Sequence, residues 1–378
     1  MARVVNGTRA FAAPSRYVQG RNELDHLPEY TQIYGERVFL IIDCFFYDEL
    51  SVKFEKMYQG KSSQIMMERF EGQIYAEKIS QIAELARPFR PDVVVGIGGG
   101  KAMDTAKAVA DELHCAEIIV PTTASTDAPA SSLSVIYTPE GVHNGTRHYY
   151  KNPDLVLLDT EIIVHAPIRF LVAGMGDGLA TYVEACANTA SDSANYVGRG
   201  YRRTLAGMAV AKTCQETILS KGYQAKVAAE QGLCTPDVED VIEANTLLSG
   251  LGFQNTGCAG AHALNAGFSN LPADECGKML HGEFVAFGTL VQLMIEQHPE
   301  EEIDRFFRFF RQVGLPTTLE DLGINRENHK ALWKVAEISM KSYWTVEPFY
   351  MDAQIVFDGI LATDQKGREY RRNGSEKL

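Results

Sequence analysis

The chain has 378 residues, 45% of them hydrophobic and 22% charged, with a formal net charge of −13 and a pI near 5.2. That length suggests two domains with a sizeable core, and the acidic balance argues against nucleic acid or an anionic membrane as the main partner. No apolar run approaches the roughly 20 residues that a membrane span needs. Seven cysteines without a Cys-x-x-Cys pair exclude a fully paired disulfide framework within one chain, so reduced thiols and a cytoplasmic location are expected.

Tyr17–Gly20 reads as the start of folded structure. Arg37–Asp43 (R-V-F-L-I-I-D) is a buried-strand pattern that ends on an acid. In a nucleotide-binding sheet, ligands sit beyond the carboxyl ends of the strands. Asp43 therefore stands where it could accept hydrogen bonds from an adenosine ribose, favouring NAD over NADP, or it could cap the turn before Phe45. Ser62–Phe70 reads as another strand, and Gln73–Arg87 has helical spacing of Ile74, Ile79, Ile82 and Leu85.

Val93, Val94 and Val95 suit a strand buried on both faces of a parallel sheet. They lead into Gly98, Gly99 and Gly100, then into a helical pattern of Met103, Ala106, Val109 and Ala110. Consecutive glycines let the backbone approach a ligand, and the helix N-terminus behind them attracts a pyrophosphate. Neither familiar glycine motif fits. Val95 and Ala102 occupy required places of a Walker A loop, and the last glycine of the dinucleotide fingerprint falls on Lys101.

Glu117–Pro121 and Leu155–Asp159 add strands, and strand–helix alternation up to about residue 165 is the order of a doubly wound parallel sheet. Thr122–Ala130 (T-T-A-S-T-D-A-P-A) follows a strand's carboxyl end, so its hydroxyls and Asp127 should face the crevice of the glycine loop. Ser131–Thr138 alternates Leu133, Val135 and Tyr137 and is expected to pair with His148–Lys151 as a hairpin turning around Gly141–Gly145. From Pro167 onwards β-runs give way to helical patterns, for example Ala173–Ala190, Val238–Gly250 and Glu283–Gln297. The expected fold is an α/β Rossmann-like parallel-sheet domain over residues 1–166, followed by an all-α domain over residues 167–378.

In the helical half, Asp177 in G-M-G-D-G-L-A-T, His262 in A-G-A-H-A-L-N and His281 in L-H-G-E stand out. One carboxylate and two imidazoles make three protein ligands for a divalent metal with a further position open, as catalytic zinc sites require. Residue by residue, alternatives stay open. Asp177 could be an N-cap, His262 a satisfied core histidine, and His281 the first residue of a helix.

Taken together, G-I-G-G-G-K-A-M-D-T-A-K, P-T-T-A-S-T-D-A-P-A-S-S-L-S-V-I-Y-T, G-M-G-D-G-L-A-T, A-H-A-L-N-A-G-F and H-G-E-F-V-A-F-G-T-L run in one family's order. The chain resembles the glycerol dehydrogenases of the metal-dependent (iron-containing type) alcohol dehydrogenase superfamily from about Tyr17 to about Gly367. The resemblance implies a dehydroquinate synthase-like fold, a zinc ion on Asp177, His262 and His281, and NAD contacts from Asp43, the glycine loop Gly98, Gly99, Gly100 and Lys101, and Asp104. It extends those contacts to Thr122, Thr123, Ser125, Ser131, Leu133 and Tyr137. Asp127 would contact the polyol, and Asp177, His262 and His281 would border the substrate. Related iron enzymes add a histidine with no obvious equivalent here, which favours zinc over iron. The implied reaction is NAD-dependent oxidation of glycerol or a related vicinal diol to dihydroxyacetone, with hydride passing to nicotinamide C4, in a homo-oligomer built from dimers and possibly an octamer. Rivals within the fold are a glycerol-1-phosphate dehydrogenase or a dehydroquinate synthase-like lyase, both of which need basic residues near the substrate. A non-catalytic NAD-binding protein is the rival outside enzymes.

Overall fold

The β-branched runs become strands of one parallel sheet in the computed structural model, which describes residues 7–272 and 274–374. In chain order they are β1 (Tyr17–Gly20), β2 (Arg37–Asp43), β3 (Gln64–Phe70), β4 (Val93–Gly98) and β5 (Ala116–Pro121). A separate hairpin, β6 (Leu133–Tyr137) and β7 (His143–His148), precedes the last sheet strand, β8 (Leu155–Asp159). The six-stranded sheet has the order β1-β8-β5-β4-β2-β3. Helices α1 (Leu27–Gln32), α2 (Cys44–Tyr58), α3 (Ala76–Ala86) and α4 (Gly100–Leu113) fill crossovers between these strands, and α5 (Thr160–Val164) follows β8.

Both faces of the inner strands β2, β4, β5 and β8 are dry, which is why they lack polar alternation. Phe39, Ile41, Val94 and Ile119 pack on one side with Ile79, Ile82 and Met103 from α3 and α4. Val38, Leu40, Ile42, Val95, Ile97 and Leu157 pack on the other with Leu27, Leu50 and Phe54.

The hairpin differs from its sequence-based expectation. The strand returning to β6 is His143–His148 rather than His148–Lys151, with Leu133 opposite His148 and Tyr137 opposite His143. The reason lies in the turn. Gly141 N donates to Thr138 O (2.9 Å) and Thr138 N to Val142 O (2.7 Å), closing a tight bend that Gly141 permits at φ 89°. Lys151 pairs instead with Asp154 (2.5 Å).

The chain divides into two compact units, one of residues 12–167 with 232–234 and the other of residues 7–11, 168–231 and 235–374 among the described residues. The second holds α6 (Ile168–Ala190), α7 (Leu205–Ala229), α8 (Pro236–Glu243), α9 (Ser249–Thr256), α10 (Gly260–Phe268), α11 (His281–Ile295), α12 (Glu300–Val313), α13 (His329–Ser339) and α14 (Ala353–Gly374). Its core joins Leu264 and Phe268 of α10 to Phe287 and Val291 of α11, with Leu332, Trp344, Val356 and Ile360. Val238–Gly250, which reads as one helix, is interrupted: α8 passes into a π-turn at Ala244–Leu248 before α9. The turn fits one extra residue between two buried faces, with Asn245 Nδ2 donating to Leu171 O (3.0 Å).

Glu117 on β5 is buried beneath the sheet's covering helices, and burial pushes its carboxyl up to about 7 against the pull of Lys107 and Lys151. Because the folded value lies above the ordinary 4.5, the stability Glu117 contributes is fully present below that pH and is lost as pH rises through about 7. Glu117→Gln should therefore flatten this part of the profile. The urea midpoint of the wild type, taken relative to the variant, is expected to fall between about pH 4.5 and about pH 7. Parallel profiles would show that the group ionises freely.

Candidate metal centre and cofactor crevice

Strand order places the first candidate site. The chain leaves β2 for β3 on one side and continues from β4 to β5 and β8 on the other, so the topology switches between β2 and β4. Ligands of doubly wound sheets bind beyond the carboxyl ends at such a point. Ile42 pairs with Ile97 there, which sets Asp43 beside Gly98. Gly98 is required: its φ is 150°, and a Cβ would meet Asp43 Cβ at 2.7 Å and Ala102 Cβ at 2.8 Å. At Gly99 and Gly100 a Cβ would meet nothing within 4 Å, so the surface over the first turn of α4 is open. An open helix N-terminus next to a carboxylate suits a pyrophosphate and a ribose.

Other residues singled out for the cofactor divide into two groups. Thr122 N donates to Gly98 O (3.1 Å), holding the following loop against the glycines, and Thr123 Oγ1 lies 3.1 Å from Ser125 Oγ. Lys101 Nζ sits 5.9 Å from the Tyr137 ring centroid, and burial lowers its pKa. Asp43 also caps α2, its Oδ1 accepting from Phe45 N (3.0 Å). Asp104 and Ser131, by contrast, turn inward. Asp104 Oδ2 accepts from Val135 N (2.9 Å), and Ser131 Oγ donates to Ala128 O (3.1 Å). The Leu133 carbonyl is likewise engaged from behind, by Lys107 (3.1 Å). Asp127 heads the short 3-10 turn Ala128–Ala130 and is mostly buried.

The second candidate site lies in the helical unit. Gly176 on α6 and Gly282 on α11 face each other so closely that a Cβ on Gly282 would overlap Ala173 O and one on Gly176 would overlap Gly282 O. This backbone contact brings their neighbours Asp177 and His281 together, with His281 Nε2 3.2 Å from Asp177 Oδ1. His262, in the first turn of α10, places its Nε2 3.5 Å from the same oxygen. Asp177 is thus a mid-helix side chain rather than a cap, while His281 does begin a helix.

These distances test whether a metal fits. Two ligands each about 2.05 Å from a tetrahedral ion lie about 3.3 Å apart, which matches the two separations. The donor set of one carboxylate oxygen and two imidazole nitrogens suits zinc or another borderline divalent ion. A second cluster, Glu184, Cys258 and His262, is also compact. Its Glu184 Oε2 to His262 Nδ1 distance of 2.7 Å is too short for two ligands of one ion and is a hydrogen bond. The Asp177 side chain is 1% exposed but that of His281 is 38% exposed, so the centre is open on one side, as a catalytic site requires.

The electrostatics agree with a site built for positive charge. Burial alone would raise the Asp177 pKa, yet His281 and His262 hold it well below the usual carboxylate range. His262 is pushed well above its ordinary value, burial opposing and Cys258, Glu184 and Asp177 prevailing.

Three supporting residues escaped the sequence reading. Glu184 lies seven residues after Asp177, on the same face of α6. Its Oε1 accepts from Ala259 N (2.8 Å) and His262 N (2.9 Å) while Oε2 takes the Nδ1 proton of His262. With Nδ1 committed as the donor to Glu184, Nε2 is the nitrogen turned towards Asp177 and available to a metal, the arrangement metal-ligating histidines need. The i, i+7 spacing of two acids in an otherwise apolar helix was the available signal. Glu283 forms a fork with Arg169 (2.6 and 2.7 Å) and accepts from Leu280 N (2.6 Å), which fixes the helix start that carries His281. The third is Lys107.

A doubly wound sheet with an open switch point is thus joined in one chain to an all-helical unit that carries a carboxylate and two imidazoles within ligand distance. The family model of iron-containing alcohol dehydrogenases matches residues 14–160. Over 358 residues, 94% of this chain and 96% of the relative, the chain is 43% identical to glycerol dehydrogenase of Thermotoga maritima. It is 40% identical over 366 residues to glycolaldehyde reductase of Halobacterium salinarum, covering 96% and 99% of the two chains. The crystal structure of a probable glycerol dehydrogenase from Sinorhizobium meliloti matches with a TM-score of 0.90 at 42% identity, covering 96% of this chain and 99% of that one. The chain belongs to the iron-containing alcohol dehydrogenase family.

Glu184→Gln should weaken divalent-metal binding about 10–100-fold, because the amide presents a donor where His262 and two backbone N–H groups all donate. Competition with a chromophoric chelator measures this, and unchanged affinity would remove Glu184 from the ligand support.

Proposed function

We propose that the chain oxidises glycerol or a related vicinal diol to dihydroxyacetone, with NAD as hydride acceptor and zinc as the metal. The observation that carries this reading is the spacing of Asp177, His262 and His281, joined by near full-length identity to relatives named glycerol dehydrogenase. Zinc is favoured because no further histidine joins the Asp177 cluster among the described residues. No helix among them is long and apolar enough to cross a membrane. A cytoplasmic, dimer-based homo-oligomer without nucleic-acid or membrane partners completes the proposal.

Asp177, His262 and His281 would hold the metal, and Asp43, Gly98–Lys101 and Thr122–Ser125 the dinucleotide. Once bound, the metal supplies Lewis acidity that lowers the pKa of a substrate hydroxyl, and NAD supplies the hydride acceptor. The protein contributes orientation. Glu184 keeps His262 in one tautomer, the Arg169–Glu283 fork keeps His281 at its place, and Asp127 is assigned a hydroxyl of the polyol. A phosphorylated substrate is disfavoured because few cations are on offer beyond Lys101 and Lys278, Arg169 beside the α11 N-terminus being already bound bidentately to Glu283. A second reading, reduction of a small hydroxyaldehyde, is favoured by the Halobacterium relative.

His281→Ala should lose both zinc and nearly all turnover while still binding NADH, read by metal analysis and nucleotide fluorescence. NADH formation from glycerol, propane-1,2-diol and butane-2,3-diol, measured before chelation, after it and with zinc restored, tests the reaction. NADH consumption with glycolaldehyde ranks the second reading. Full activity in a metal-free variant would overturn the proposal.

A further inference from the structure

Lys107, in the second turn of α4, is wholly buried. Lysine is almost never found so unless its ammonium is engaged on every side. Here Nζ donates to Ala128 O (2.6 Å), Leu133 O (3.1 Å) and Ser131 Oγ (3.4 Å), which uses its three protons. Asp104, one turn earlier on the same face, brings its Oδ1 to 3.5 Å and supplies the counter-charge. Residues 128–133, the last part of the connection from β5 to β6, are folded around this one cation.

Other bonds complete the clamp. Asn152 Nδ2 donates to Ala130 O (2.7 Å), Ser134 Oγ donates to Asp104 O (2.8 Å), and Val135 N donates to Asp104 Oδ2 (2.9 Å). Residues 128–135 are therefore fixed to the glycine-loop helix from within. The residue entering this clamped segment is Asp127, directly bonded to the Ala128 whose carbonyl makes the shortest contact with Lys107. A buried ion pair by itself is weak evidence for stability, and an apolar side chain would fill the same space. What the apolar side chain lacks is three donors that fold a loop into one shape.

We infer that Lys107 is a positioning residue of the reaction: its ammonium fixes the main chain that carries Asp127 and thereby sets the enzyme's hold on the polyol. The inference rests on the role proposed above for Asp127. Arginine is no substitute, because its planar fork does not match three acceptors arranged around a point.

The test is a double-mutant cycle of Lys107→Met and Asp127→Asn in the full-length, zinc-loaded chain, reading kcat/KM for glycerol and, by fluorescence, NADH affinity. Lys107→Met should lower kcat/KM about 100-fold, the scale of a misplacement near 1 Å, with NADH affinity little changed. Added to Asp127→Asn, it should cost almost nothing more, since both changes remove one interaction. Losses that multiply would show Lys107 to be a scaffold residue only and overturn the inference. An Asp127→Asn variant with unimpaired glycerol turnover would overturn the Asp127 assignment and the inference with it. If Lys107→Met does not fold, Asn152→Ala loosens the same clamp from the other side, and its coupling to Asp127→Asn decides by the same criterion.

Discussion

Helices α6 and α11 meet at main-chain contact because neither Gly176 nor Gly282 carries a side chain. Most of what the helical unit does follows from that approach. With the glycines in place, Asp177 and His281 are neighbours, and a third helix needs only to bring His262 to the same oxygen. Gln292 of α11 receives Ala261 N (2.8 Å) and a Trp344 ring covers Gly260, so α10 is seated by contacts on both sides of its histidine.

The sheet achieves a comparable result by topology. Reversal of the strand order between β2 and β4 opens a gap in the covering helices, and the sequence fills the two lips of that gap with an acid and three glycines. The polar loop after β5 joins them through Thr122. Loops carry the chemistry and a dry, doubly covered sheet holds them still, the usual division of labour in such folds.

Much of this was legible in the chain. The strands at Arg37–Asp43 and Leu155–Asp159 are those the β-branched runs indicate, because burial on both faces leaves no other pattern to imitate them. Asp177, His262 and His281 were visible as residue types, but their geometry was not: three residues spread from 177 to 281 meet where Gly176 and Gly282 let two helices touch. The returning strand of the hairpin was misplaced because a Pro-Glu-Gly turn is tighter than a glycine-bounded loop. The π-turn at Ala244–Leu248 has no local signature at all. Glu184 and Lys107 were passed over for a common reason. A buried charge reads as a surface residue until its partners are known, and those partners are mainly backbone groups.

Glu184 has one more implication. A single carboxylate holds the loop Cys258–Ala259, the main chain of His262 and the His262 ring at once. Those bonds tie the start of α10 and its imidazole to α6, so the ring has few orientations left and little chain entropy remains to be lost on binding.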